Sequence, residues 1–156
     1  MRMSDFVVRD AIVPELTATS KEAVIKEMVE ALRAAGNFKS GETEDIVRAI
    51  QKRELLGSTG IGRGVAIPHA KHPGAERLLG TIAVSRAGVG FESLDGEPVH
   101  VFVLLVSPND RPGDHLRALE NVSRCLRDDG FIKALRTAAG REDIGRLLDR
   151  ADQPPG

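Results

Sequence analysis

The residues best equipped for chemistry lie in one stretch, Gly57-Ser-Thr-Gly-Ile-Gly-Arg-Gly-Val-Ala-Ile-Pro-His-Ala70. A proline delivers His69 near its end, and four glycines fall within the eight residues 57–64. A neutral imidazole keeps one ring nitrogen free as a nucleophile, and near pH 7 much of an ordinary histidine is neutral. Glycines at that density permit positive φ and let backbone N–H groups converge on an anion. A phosphoryl group carried on the ring would need such donors together with positive charge, which Arg53 or Arg63 can supply. At ~4 Å and an effective dielectric of about 20, one such pair is on the order of 4 kcal/mol before desolvation. On composition alone the loop suits a plain turn as well as an anion nest.

Rival chemistries fit less well. Gly57 to Gly62 has Walker spacing, but Arg63-Gly64 stands where the lysine and the magnesium-binding hydroxyl belong. A dinucleotide fingerprint fails because Val65 replaces the third glycine and a strand, not a helix, follows. His69-x-x-His72 could ligate a metal, yet Pro68 and Pro73 flank the pair, so no helix presents both rings on one face, and no H-E-x-x-H exists. We therefore expect no metal or nucleotide cofactor. A hydrolase would use Ser58 or Ser107, but there is no G-x-S-x-G elbow. His72 reads as a solvated loop residue, and His100 as a hydrogen-bonded core histidine or cross-strand contact.

The elements that must position these residues can be read from periodicity. Thr19-x-x-Glu22 has the form of a capping box, and Val24, Ile25, Met28, Val29, Leu32 and Ala35 recur at helical spacing, which predicts a helix over 20–35. A second helix is expected over 43–56, buried through Ile46, Val47, Ile50 and Leu55. Arg53 falls in its last turn, where compensation of the helix dipole would explain it without any function. Val65-Ala66-Ile67 reads as a short strand that Pro68 ends, with His69 at its exit. Thr81–Val84 is a further strand, and the apolar run Val99–Val106 is a central one, buried on both faces. Asp114 is expected to cap a helix over 115–127, with His115 in its first turn and Leu116, Leu119, Val122 and Leu126 inside. Two short helices should follow, around Phe131–Leu135 and Ile144–Leu148. In residues 1–18 one of the apolar patches before Pro14 should be an edge strand. The fold class is α/β: one domain over 1–150 with a mixed parallel and antiparallel sheet between helices, and 151–156 as a disordered tail.

Composition narrows the partners. Twenty-two Lys and Arg against 23 Asp and Glu give a net charge of −1, and there is no Trp or Tyr. Such a chain offers neither a concentrated basic surface nor stacking platforms for nucleic acid. Cys125 is the only cysteine and is expected on the buried side of its helix. There is no signal-peptide pattern and no window of membrane-spanning length, so a cytoplasmic protein is expected.

Read together, Lys52-Arg53-Glu54 and Ser58-Thr-Gly-Ile-Gly-Arg-Gly-Val-Ala-Ile-Pro-His69 resemble the type-2 enzyme IIA component of the bacterial sugar phosphotransferase system. That family holds the fructose and mannitol IIA domains and the nitrogen-regulatory IIA protein, and the likeness spans about residues 5–148. It implies that His69 is the phosphoacceptor through Nε2, and that Arg53 pairs with the phosphoryl group. It further implies that His115 helps to position the group and that Thr59 and Gly60 line the pocket. Arg63 departs from the smaller polar residue often found there and receives no role. The implied donor is the phosphocarrier HPr or a paralogue, and partners would dock around Ile61, Leu78 and Leu79. With no IIB, IIC or HPr segment attached, the chain looks more like the regulatory protein than a sugar-specific IIA that feeds a IIB domain.

Overall fold

The computed structural model describes residues 1–39 and 41–151. Two helices come first, α1 (Lys21–Ala34) and α2 (Thr43–Leu55). Five strands follow: β1 (Gly60–Gly62), β2 (Val65–Ala66), β3 (His69–Lys71), β4 (Leu79–Val89) and β5 (Val99–Ser107). Three helices close the chain: α3 (Pro112–Cys125), α4 (Asp129–Thr137) and α5 (Arg141–Ala151). Ala151 is the last residue of α5, and the remainder of the expected tail lies outside the described residues.

The strand β5 is the axis of the sheet, as its unbroken apolar run requires. It pairs antiparallel with β4 on one side and parallel with β2 and β3 on the other. Phe102, Leu104 and Val106 pack under α1 and α2, whereas Val101, Val103 and Leu105 pack under α3, α4 and α5. This period-2 alternation divides the core into two layers and leaves neither face of β5 in water. The mixed sheet between helices is the expected architecture.

Several expectations are corrected. Pro68 interrupts a strand without ending it: β2 pairs at Val65↔Val101 and Ala66↔Phe102, and β3 resumes in the same register at His69↔Leu105. Proline removes one donor, yet its carbonyl still accepts from Leu105 N at 3.0 Å, so the chain stays on the ladder. His69 thus opens a strand. The strand expected at 81–84 is part of a longer one, β4, which runs on through Gly88 by means of an irregularity between Val84 and Val89. The N-terminal apolar patches follow 3-10 turns at Met3–Asp5 and Arg9–Ala11, and instead of a continuous edge strand they meet the outer edge of β4 at isolated bridges, Val7↔Gly80 and Val13↔Ala83.

Caps shift by a few residues. Ser20, not Thr19, caps α1, its hydroxyl accepting from Ala23 N. Helix α3 begins at Pro112, where the missing N–H costs nothing, so Asp114 lies inside the first turn and pairs with Arg117 and Arg111 instead of capping. The inner stripe of α3 is therefore His115, Ala118 and Val122, running on to Leu126, and Leu116 points outward at 57% exposure. On α2 the buried stripe ends in Glu54, and Leu55, one residue round the helix, is exposed.

Candidate active site

Two turns and one interruption bring the chemistry together. The glycine-rich stretch is a hairpin: β1 pairs with β2 antiparallel, and Gly62, Arg63 and Gly64 turn through φ of +95°, +57° and +79°. Gly60 is required by close approach, since a Cβ there would collide with Ser93 Oγ. Several of the hairpin's donors are committed within the protein. Thr59 N and Oγ1 both donate to the Glu54 carboxylate, Gly60 N donates to Ser58 Oγ, and Arg63 N donates to Asp95 Oδ2. Turn geometry at Gly62 and Gly64 and the close approach at Gly60 each call for glycine.

His69 is half-buried at the head of β3. Its Nδ1 lies 2.7 Å from the Ile67 carbonyl, and a carbonyl only accepts, so Nδ1 carries the proton. The neutral ring then has its lone pair on Nε2, which has no partner among the described residues. Burial holds its pKa below the ordinary histidine value; the Ile67 hydrogen bond opposes this, and the charge of Arg53 adds to it. At neutral pH the ring is uncharged. The ring thus folds back over the carbonyl two residues earlier, across Pro68.

The ring of His115 lies 5.4 Å from that of His69, centroid to centroid, at an interplanar angle of 54°. It is 8% exposed, and its Nδ1 is 2.5 Å from Ser107 Oγ. Burial first, then the charges of His69 and Lys71, lowers its pKa to about 4. Arg53 ends α2 with Nη1 donating to the Gly57 carbonyl at 2.9 Å. Its remaining N–H groups make no other hydrogen bond among the described residues. Helix α2, β3 and α3 thereby assemble Arg53, His69 and His115, with Thr59 and Gly60 on the adjoining hairpin.

Other sequence readings fall into place around this centre. His72 is not a solvated loop residue: Gly74 N donates to its Nδ1 at 2.8 Å, and Asp45 lies 3.5 Å from its Nε2. Its ring and that of His69 are engaged with different partners. His100 is the expected bonded histidine, with Nδ1 2.9 Å from the Ser85 carbonyl. Ser107 is fully buried, which rules it out as a nucleophile, and Cys125 is half-buried. Arg63 receives a structural explanation: its guanidinium donates to the Leu126 and Arg127 carbonyls and to Asp129, tying the hairpin to the α3–α4 junction.

Periodicity missed the pieces that support the loop. Glu54 is 6% exposed, binds Thr59 and pairs with Lys21 at 2.9 Å. A carboxylate continuing the Ile46–Ile50 stripe at i+4 was the available signal. The apolar rim also differs from the expected one. Leu79 is buried and so is no surface contact, whereas Leu78 is partly buried against the layer of α3, α4 and α5. Ile61 is open at 42%, and with it Leu55 (87%), Leu56 (83%), Leu94 (81%) and Leu116. They follow Arg53 and His115 in sequence, or, like Leu94, bond the hairpin at Gly60.

The profile of the family described as phosphoenolpyruvate-dependent sugar phosphotransferase system, EIIA 2, matches residues 5–151. The chain belongs to this family. Within it, this IIA chain is 38% identical over 149 residues to the nitrogen regulatory protein of Bradyrhizobium diazoefficiens, a match covering 95% of each. It is 33% identical over 153 residues to the fructose-specific EIIABC component of Bacillus subtilis, covering 98% of this chain and 24% of that one. Among solved structures, the nitrogen regulatory protein IIA-Ntr of Neisseria meningitidis superposes with a TM-score of 0.83 at 30% identity, covering 92% of this chain and 97% of that one. No helix among the described residues is long and apolar enough to cross a membrane.

Proposed function

We propose that this IIA phosphocarrier accepts a phosphoryl group on Nε2 of His69 from a phosphorylated HPr-type protein and acts in the cytoplasm as a phosphorylation-dependent regulator of the nitrogen-regulatory kind. The observation that carries the reading is the hydrogen bond from His69 Nδ1 to the Ile67 carbonyl, which leaves a lone pair on Nε2 of a ring that is neutral at pH 7. In the transfer, that lone pair forms the new N–P bond as the donor's N–P bond breaks, and the electron pair returns to the donor ring. The Nδ1 proton stays where it is. No proton moves and no metal or nucleotide takes part, so the protein's task is position and charge.

Arg53 supplies the charge and His115 a second contact to the phosphoryl oxygens. Thr59 and Gly60, held by Glu54 and Ser58, form the wall of the pocket. The partner seats on the apolar rim of Leu55, Leu56, Ile61, Leu94 and Leu116, in a small interface that releases quickly. End-to-end similarity to a nitrogen regulatory protein favours regulation. A sugar-specific role, with onward transfer to a IIB domain, is favoured by the fructose-specific relative.

Incubation with phosphoenolpyruvate, enzyme I and HPr should add one acid-labile phosphoryl mass, and His69→Ala should abolish it. Persistence of that adduct in the variant refutes the assignment. Addition of a IIB domain separates the roles: rapid onward transfer makes the chain a transport component.

A further inference from the structure

The serine that closes β5 has no part in the reading above, yet it is in direct contact with one of the two histidines. Val101, Val103 and Leu105 of β5 pack in the layer of α3, and the same alternation carried on from Leu105 directs Ser107 toward that helix. There its hydroxyl meets Nδ1 of His115 at 2.5 Å, with Ser107 fully buried and His115 nearly so.

Two proton arrangements satisfy that distance. In one, Nδ1–H donates to Oγ; the serine O–H is then left without an acceptor, because Oγ has no other hydrogen-bond partner among the described residues. An orphaned donor in a fully buried place is costly. In the other, O–H donates to Nδ1, so the buried hydroxyl hydrogen is used, and the ring carries its own proton on Nε2, an atom that is not sealed from solvent. The choice matters because His115 is neutral near pH 7, so it has a single N–H to offer.

We propose that Ser107 is a positioning residue: its buried hydroxyl donates to Nδ1 of His115 and fixes the ring as the Nε2–H tautomer, which can donate to the phosphoryl group carried by His69. The proposal rests on the reading of His69 as the acceptor. The two facing rings are then set in opposite tautomers. His69 keeps its proton on Nδ1 through a main-chain carbonyl, leaving a lone pair to attack. His115 keeps its proton on Nε2 through a side-chain hydroxyl, leaving a donor for the oxygens. A wrong tautomer at His115 would set a lone pair against a phosphoryl oxygen.

The test is a long-range 1H–15N correlation of imidazole nitrogens in the full chain labelled with 15N-histidine, for wild type, Ser107→Ala and Ser107→Thr at neutral pH. Wild type and Ser107→Thr should show a pyridine-type Nδ1 and a pyrrole-type Nε2 at His115, and Ser107→Ala should lose that pattern. Phosphoryl uptake from phospho-HPr should slow about 10-fold in Ser107→Ala and recover in Ser107→Thr. In a His115→Asn background Ser107→Ala should add nothing. A pyrrole-type Nδ1 in the wild type, or an unchanged tautomer in Ser107→Ala, overturns the proposal, as does slowing that adds to that of His115→Asn. The wild-type spectrum decides the matter even if a variant fails to fold. It is recorded without phosphate, so it stands apart from failure of the wild type to take up phosphoryl, which would refute the reading of His69 instead.

Discussion

The two flanks of His69 are built on opposite physical principles. On the α2 side the groups are charged: Arg53 at the helix end, and Glu54 sunk beneath the hairpin with Lys21 against it. On the α3 side the groups that meet the ring are uncharged at pH 7, a buried histidine and a buried serine; the pairs of Asp114 with Arg111 and Arg117 lie on the outer side of the helix, and Arg63 lies out at the hairpin turn. One flank supplies field and the other supplies an oriented hydrogen bond. They should fail differently, since losing a buried charge partner strands another charge, whereas losing an exposed one leaves its partner to water.

The largest effect on this comparison should come from Glu54→Ala. It removes the acceptor of both Thr59 donors and leaves Lys21, 15% exposed, without its carboxylate. A loss of about 3 kcal/mol in urea unfolding is expected, from breaking one partner of a buried pair. Glu54→Gln, which still offers an acceptor, should lose less. Equal losses for the two variants would show that the volume of the side chain matters and its charge does not.

Arg53→Ala comes next. Loss of a single charged donor to a transferring group typically costs about 100-fold in rate, or about 2.7 kcal/mol. Its folded-state contacts are a half-exposed bond to Gly57 O and the dipole of α2, so stability should fall by only about 0.5 kcal/mol. Phosphoryl uptake followed by intact mass, beside a thermal melt, separates the two quantities. Unchanged uptake would reduce this residue to the dipole compensation that sequence alone allowed.

How far the sequence reached follows from the same contrast. Helices α1 and α2 and the buried strand β5 were legible because each has a clean apolar period, and the glycine-rich stretch ending in His69, which carries the family resemblance, was legible because it is contiguous. What escaped was whatever depended on a partner distant in the chain. The continuation of the ladder past Pro68 needs Leu105 as its donor. The burial of Glu54 needs Lys21, and without that knowledge Leu55 is the natural choice for the inside. The start of α3 at Pro112 turns its stripe so that His115, not Leu116, faces the core. A serine at a strand end and a histidine eight residues on carry no periodic signal, although the strand's own alternation points one at the other.

The α3 flank should show itself in pH. A group whose pKa is lower folded than unfolded refuses a proton that the unfolded chain accepts, so stability is lost as pH falls between the two values. For His115 those values are about 4 and 6.5. Allowing for partial solvent access, its share should be about 2 kcal/mol, fully present at pH 7.5 and gone by pH 4. His69 acts in the same sense. Urea midpoints at pH 7.5, 5.5 and 4.5 should therefore fall more steeply in the wild type than in His115→Asn. Parallel slopes would mean that the ring is not shielded as its burial implies.

Arg63 should give the smallest effect and the sharpest sign. Its backbone is left-handed, φ +57°, a conformation that glycine adopts freely, and its side chain is 45% exposed against an Asp129 that is 83% exposed. Arg63→Ala loses the contacts to the α3–α4 junction and keeps the strain, so it should cost about 1 kcal/mol. Arg63→Gly loses the same contacts and relieves the strain, so its melting temperature should lie near that of the wild type. Neither should alter phosphoryl uptake, because β2 joins β5 at Val101, four residues before the Leu105 that pairs with His69. If both variants lost uptake in step, the hairpin turn would have to be counted with the charged flank, and the division of labour between α2 and α3 would fail.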